Sequence, residues 1–310
     1  MRRNSAKIAI AYISAALLAQ GAIHGVMNQA RADEGILKFS FTKEQAKKGY
    51  VYVPLSTRYS KELGYGFMAI VADSPTAQTI GTDLSSDTCN GTKPLLFSAD
   101  VPEGNYDILL KLGNKNSGST TTVKAEARRL LLERSQIPKG EFVDRKFTVN
   151  ARYKELKSGG TVRLKPDEEY SFDWDHQLTF EINDTNPCVA TLEIKPARRP
   201  ITVYLAGDST VTDQSKEPWC SWGQMLPRFF KPGVAIANHA ESGESLKSFI
   251  GEKRLQKILE TIKSGDYLFI QFAHNDQKPG PSHVDPFTTY NENLQLYIAE
   301  ARKRGPFPYS

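Results

Sequence analysis

Lys195-Pro196-Ala197-Arg198-Arg199-Pro200, followed at once by Ile201-Thr202-Val203-Tyr204-Leu205-Ala206-Gly207-Asp208-Ser209-Thr210, decides how this chain folds. The first six residues are charged, bounded by proline and poor in apolar side chains, which is how a short linker reads. The next six, apolar but for Thr202, read as a buried strand. The sequence grammar differs on the two sides of Pro200. Downstream, a helix-like segment spans Trp219 to Phe230 and a strand spans Val234 to Ala237. Leu255, Ile258, Leu259 and Ile262 then fall on one helical face closed by Gly265, followed by a strand from Tyr267 to Phe272. A last helix places Leu294, Tyr297 and Ile298 on one face. This order predicts an α/β/α doubly wound parallel sheet over residues 200–310 with right-handed crossovers. Three strands are fewer than the about five or more usual for such sheets, so the sheet is expected to be incomplete, with an exposed edge strand.

Upstream, short strands separated by turn residues run from Ile36 to Ile194. They are Ile36 to Phe41, Tyr50 to Val53, Phe67 to Val71, Tyr106 to Leu112, Thr120 to Ala125, Lys146 to Val149, Thr161 to Leu164, Leu178 to Ile182 and Val189 to Ile194. Such spacing, with almost no helical periodicity, predicts an antiparallel β-sandwich over residues 33–195. Arg128 to Arg134 fits helix or strand equally on pattern. Residues 1–32 read as a secretory signal peptide: basic Arg2, Arg3 and Lys7, an apolar run from Ile8 to Leu18, and Ala30-Arg31-Ala32 as cleavage site. The expected location is therefore secreted or periplasmic. Arg2, Arg3, Lys7 and Arg31 carry four of the five net positive charges, and the near-neutral remainder gives no electrostatic case for nucleic acid. No later segment is apolar enough to cross a membrane. Cys89, Cys188 and Cys220 lack metal-ligand spacing, so no metal site is expected. They allow one disulfide, with Cys89–Cys188 favoured by shared domain, or three buried thiols.

The chemistry is expected just beyond the carboxyl ends of the parallel strands. Strand one ends in Gly207-Asp208-Ser209-Thr210, strand two in Asn238-His239-Ala240-Glu241-Ser242-Gly243 and strand three in Ala273-His274-Asn275-Asp276. A serine acts as nucleophile only with a base to take its proton and donors aimed at the developing oxyanion. Ser209 is the candidate nucleophile. The backbone amides of Ser209 and Gly243 and the side-chain amide of Asn275 are candidate oxyanion donors, each worth roughly 3 kcal/mol in the transition state. Alone, Gly-Asp-Ser reads as a capped turn, with Asp208 holding the backbone; three such strand ends in register favour the nucleophile. Trp219, Trp222 and Tyr290 are either sugar-stacking surfaces or core aromatics. No Gly-x-x-x-x-Gly-Lys or Gly-x-Gly-x-x-Gly follows a strand, which disfavours nucleotide binding, and no Gly-x-Ser-x-Gly elbow occurs.

These blocks resemble those of the SGNH, or Gly-Asp-Ser-(Leu), hydrolase superfamily, and within it the rhamnogalacturonan acetylesterase-like carbohydrate esterases. Gly207-Asp208-Ser209-Thr210 matches the first block, Gly243 the second and His274-Asn275-Asp276 the third, with Ala273 where the family usually has Gly. Ile36 to Phe41, Gly64-Tyr65-Gly66-Phe67 and Pro102 to Asp107 resemble the galactose-binding-like sandwich that precedes the esterase domain in some bacterial members. The resemblance implies a cofactor-free serine esterase that removes acetyl groups from an acetylated plant cell-wall polysaccharide. It also implies a base and its orienting acid in an Asp-x-x-His block downstream of Asn275, and the sequence to Ser310 has none. Asp173-Trp174-Asp175-His176 precedes Ser209 and reads as a sandwich turn. The expectation is therefore a fragment of a longer enzyme or a degenerate product, inactive without that block. The alternative is a non-catalytic carbohydrate-binding protein working through its sandwich.

Overall fold

Alternation of apolar and polar residues builds the N-terminal half. In Gly104–Leu112 (β5), Tyr106, Ile108, Leu110 and Leu112 are buried and the residues between them less so, as in a strand with one face on a core. In the computed structural model, which describes residues 35–68 and 94–305, ten strands make two five-stranded sheets. One contains Val51–Tyr52 (β2), Leu37–Ser40 (β1), Val189–Pro196 (β10), β5 and Val143–Ala151 (β8), in that order. The other contains Tyr65–Phe67 (β3), Leu95–Asp100 (β4), Gln177–Asn183 (β9), Ser119–Ala125 (β6) and Arg129–Ile137 (β7). All pairings are antiparallel except β1 with β2. The inner faces share one core, in which Phe39, Phe41, Tyr65, Phe67 and Phe97 meet at ring-centroid distances of 5.0–5.5 Å. The expected sandwich is present.

Several expectations need correction. Thr161 to Leu164 is not a strand: Thr161 makes a single bridge to Glu155, while Val162 and Leu164 pack with Leu156 and Trp174 in a separate small cluster. Among the described residues it has no neighbouring strand to join, so its alternating pattern completes no sheet. β4 was not anticipated, and the ambiguous Arg128 to Arg134 segment is β7 from Arg129 onward. The linker is shorter than read, because Lys195 and Pro196 pair with β5 and the Ala197 amide donates to Asn105 O at 2.9 Å. Cys188 is disulfide-bonded and Cys220 is an exposed free thiol, which removes the reading of three buried thiols. The expected leader, Cys89 and the end of the expected Phe67 to Val71 strand lie outside the described residues.

After Pro200, Ile201–Gly207 (β11) lies between Val234–Asn238 (β12) and Tyr267–Gln271 (β13), parallel to both. Val203 and Leu205 face one layer, formed by Trp222–Met225 (α1) and a 3-10 turn over Leu226–Phe229. Tyr204 and Ala206 face the other, formed by Leu246–Gly251 (α2), Arg254–Leu259 (α3) and Thr289–Arg302 (α4). The doubly wound arrangement is as expected, but the anticipated Trp219 to Phe230 helix is broken into two short turns around Pro227, which lacks an amide proton. α2 was not anticipated; its Ser245 cap and Ser248 exchange hydrogen bonds across the first turn. In α4, Tyr297 is fully buried but Ile298 is exposed, so the expected three-residue face is only partly covered. Phe269 of β13 is likewise 43% exposed, at the sheet's uncovered edge.

The opposite edge, β12, is covered by the sandwich. Arg129 of β7 sits fully buried there, with Nη1 donating to Asn150 O of β8 and Ile236 O of β12, each at 3.0 Å. Asp213 Oδ2, Asp173 Oδ1 and Glu126 Oε2 lie 3.2, 3.3 and 3.5 Å from its guanidinium. Arg152 adds a second cation, 3.3 Å from Asp173 Oδ2, stacked 4.4 Å above the Trp174 ring. Removing one partner of such a buried set strands the others in a low dielectric. Arg129→Ala is expected to lower unfolding free energy by about 3–5 kcal/mol, read by urea unfolding; a loss below about 1 kcal/mol would mean that the acids are solvated and the junction does not depend on Arg129.

Candidate active site

Block one is shaped by exclusion. A Cβ at Gly207 would lie 2.5 Å from Val211 Cγ2 and 2.9 Å from Gln271 O, so only glycine lets β11 and the following turn approach this closely. Asp208 is buried, and its Oδ1 accepts from the amide and hydroxyl of Thr210 at 2.9 and 2.8 Å, which is the turn-holding role read from the sequence. Ser209, half-buried on this turn, has its carbonyl held by Ser221 Oγ at 2.6 Å and Gln214 Nε2 at 3.0 Å. Its hydroxyl has no hydrogen-bond partner among the described residues.

The three strand ends are tied to one another. The Glu241 amide donates to Gly207 O at 3.1 Å and Thr212 Oγ1 to Ala240 O at 2.8 Å, joining blocks one and two. Asn275 Nδ2 donates to Glu244 O at 3.0 Å and the Leu246 amide to Asp276 Oδ1 at 2.9 Å, joining blocks two and three. Asn275 is buried and also accepts from Lys278 Nζ at 2.7 Å. One of its two amide hydrogens is thus spent within the chain, and the other is left for a ligand. Gly243 is exposed at φ 81°, a conformation that favours glycine. Lys165, which sequence reasoning missed, donates to Ser242 O and pairs with Glu244 Oε1 at 2.5 Å, thereby bracketing Gly243. No local signal could have found it, because it comes from the other domain, 77 positions before Ser242.

A cleft of about 580 Å³ opens between the domains, lined by Ser209 and Ser242 together with Asp173, Asp213, Glu241 and Trp219. Gly243 and Asn275 adjoin it through block two but do not line it. Burial, then the charge of Asp173, pushes the Asp213 carboxyl up to about 7. Burial, then the charge of Glu168, pushes Glu241 up to about 8. None of the four described histidines lines the cleft. His239 is buried between Trp174 and Tyr204, where desolvation and then the Arg152 charge hold its pKa well below the usual value. His274 is exposed while the adjacent Asn275 is buried, so the two side chains diverge as at any strand end. His283 is exposed. Asp173 to His176 is a bend before β9, as read; Asp173 turns to Arg129 and Arg152, whereas His176 stacks on Tyr153 at 3.9 Å. Of the three aromatics, Trp222 and Tyr290 pack against the two cores, while Trp219 is 67% exposed in the cleft.

Residues 37–133 match a family model described as beta-agarase/YXIM esterase-like, galactose-binding domain-like. The chain is 47% identical over 113 residues to rhamnogalacturonan acetylesterase RhgT of Bacillus subtilis (strain 168), across 36% of this chain and 48% of that protein. It is 26% identical over 298 residues to the uncharacterized esterase YxiM of the same strain, across 91% of this chain and 70% of that one. The chain spans about half the length of RhgT and of the probable rhamnogalacturonan acetylesterase YesY. The crystal structure of B. subtilis YxiM is 23% identical, covering 87% of this chain and 72% of its own, with a TM-score of 0.36. The likeness to rhamnogalacturonan acetylesterases, with a galactose-binding-like N-terminal part, is therefore found as expected.

Glu241 gives a pH prediction. Its folded pKa lies above its ordinary value of 4.5, so the stability it contributes is full below about pH 4.5 and is lost as pH rises through about 8. The melting temperature is expected to fall over that window and to fall less in Glu241→Gln, as read by thermal unfolding across buffers; parallel curves would show that Glu241 ionises normally.

Proposed function

We propose that this chain carries the nucleophile and oxyanion donors of an exported serine esterase that removes O-acetyl groups from a pectic polysaccharide. The observation that carries the reading is the hydrogen-bonded convergence of three strand ends around a serine whose hydroxyl is uncommitted. Ser209 Oγ attacks the acetyl carbonyl carbon, and the negative charge that develops on the carbonyl oxygen is met by the Ser209 and Gly243 amides and the remaining Asn275 N–H. Collapse breaks the bond to the sugar oxygen, which leaves as a hydroxyl, and the acetyl group stays on Ser209. Water then attacks the acetyl-serine and releases acetate. The Ser209 proton needs a base. Resemblance assigns it to an Asp-x-x-His block, and no described histidine lines the cleft. A leader in residues 1–32 suits a polymeric substrate outside the cell.

A second reading is that the chain binds carbohydrate without turning it over. The likeness of residues 37–133 to a galactose-binding-like family supports it. Added imidazole separates the two readings by serving as an external base. Acetate release from acetylated pectin by the purified chain is expected to be low alone and to rise with imidazole beyond the buffer blank. Ser209→Ala should remove that increment and Asn275→Ala reduce it about 10²–10³-fold. An increment that survives Ser209→Ala, or none in the folded wild type, would leave the binding reading.

A further inference from the structure

The loop between Ser209 and α1 is held in place by the opposite domain. Arg128, in the β6–β7 turn, donates Nη1 to Gln214 O at 3.1 Å and Trp219 O at 3.4 Å, and its Nη2 pairs with Glu217 Oε1 at 3.1 Å. Lys124 of β6 lies 3.9 Å from the same carboxylate. Across the cleft mouth, Lys216 Nζ stands 3.5 Å from Asp167 Oδ2. Three residues outside the α/β half thus fix the loop over 214–219.

What this loop presents is Trp219. Packing does not explain the residue, since its side chain remains 67% exposed while lining the same cleft as Ser209. An indole on a braced loop loses little entropy when it binds a flat apolar surface, and the C–H face of a pyranose ring is such a surface. Hydroxyls around the ring's edge need polar partners, and Ser171, Ser215 and Lys216 line the same cleft. Two-thirds exposure next to a candidate nucleophile, with cross-domain bonds holding the backbone that carries it, describes a preorganised platform.

We propose that the interdomain cleft is a carbohydrate subsite built by both domains, in which a pyranose ring of the polysaccharide stacks on Trp219 and Arg128 acts as a positioning residue for that loop. The inference rests on the esterase reading for its class of ligand. It assigns the sandwich the task of forming one wall of the substrate site, in addition to any binding of its own.

Calorimetric titration of the full chain with an acetylated pectic oligosaccharide tests it. Trp219→Ala is expected to weaken binding about tenfold or more, and Trp219→Phe to retain most of the affinity. Arg128→Ala should also weaken binding, with partial recovery in Arg128→Lys, which keeps a cation near Glu217; a purely structural role would lower the melting temperature without this recovery. Wild-type affinity in Trp219→Ala, or no binding by the wild-type chain, overturns the proposal, and because Trp219 is exposed this variant remains informative if Arg128→Ala fails to fold. Trp219-dependent binding without acetate release under any base would end the esterase reading and leave the subsite. Acetate release with binding indifferent to Trp219 would do the reverse.

Discussion

A guanidinium taken fully out of water is costly unless acceptors and counter-charges surround it, and Arg129 is such a group at the junction of the two halves. Its partners come from β8, β12, the turn before β9, the turn before β7 and the loop after Ser209. Each is therefore fixed relative to the others, because any that withdrew would leave a buried charge or carbonyl unmatched. Arg129 also meets the edge of β12, a row of backbone groups that would otherwise be open for pairing. Arg129 thus ties the sandwich to the parallel sheet at this edge.

A second set of cations extends the junction. Arg254, at the start of α3, pairs with Glu168 and with Glu252 at 3.0 Å, while Glu168 also accepts from Trp174 Nε1 at 3.0 Å. Lys257, buried on the same helix, reaches Glu103 Oε1 at 2.6 Å and Glu155 O at 2.7 Å. These bonds hold the stretch from Glu155 to Asp173 against the α/β half, and with it Lys165 beside Gly243. The cleft is the space between these two sets of ion pairs, where burial and neighbouring acids raise the pKa of Asp213 and Glu241. Its electrostatic character is a by-product of how the domains are joined.

Much of this was legible locally. The run Val203 to Ala206 reads as buried on both faces, and Gly207-Asp208-Ser209 as a turn at its end, because those requirements concern neighbours in sequence. The reading weakened where periodicity underdetermines structure. Arg128 to Arg134 fitted two periods, and burial of Leu130 and Leu131 as part of β7 decided it. Thr161 to Leu164 had a strand's pattern but no partner strand, and a strand without a partner is not a stable element. Ile298 had a helical core position, yet whether a helical face is covered depends on what packs there.

The sequence by itself determined the sandwich, the parallel sheet and the three strand ends with Ser209, Gly243 and Asn275, since strand period, turn chemistry and strand-end position are short-range properties. Only the tertiary structure decided what Lys165, Arg128 and Arg129 do. Their partners in the α/β half lie 77 to 107 positions away, and one chain's spacing carries no record of contacts at that range. It also decided that Trp219 faces the cleft whereas Trp222 and Tyr290 pack against the cores, because an aromatic's sequence neighbours do not reveal whether another layer covers it.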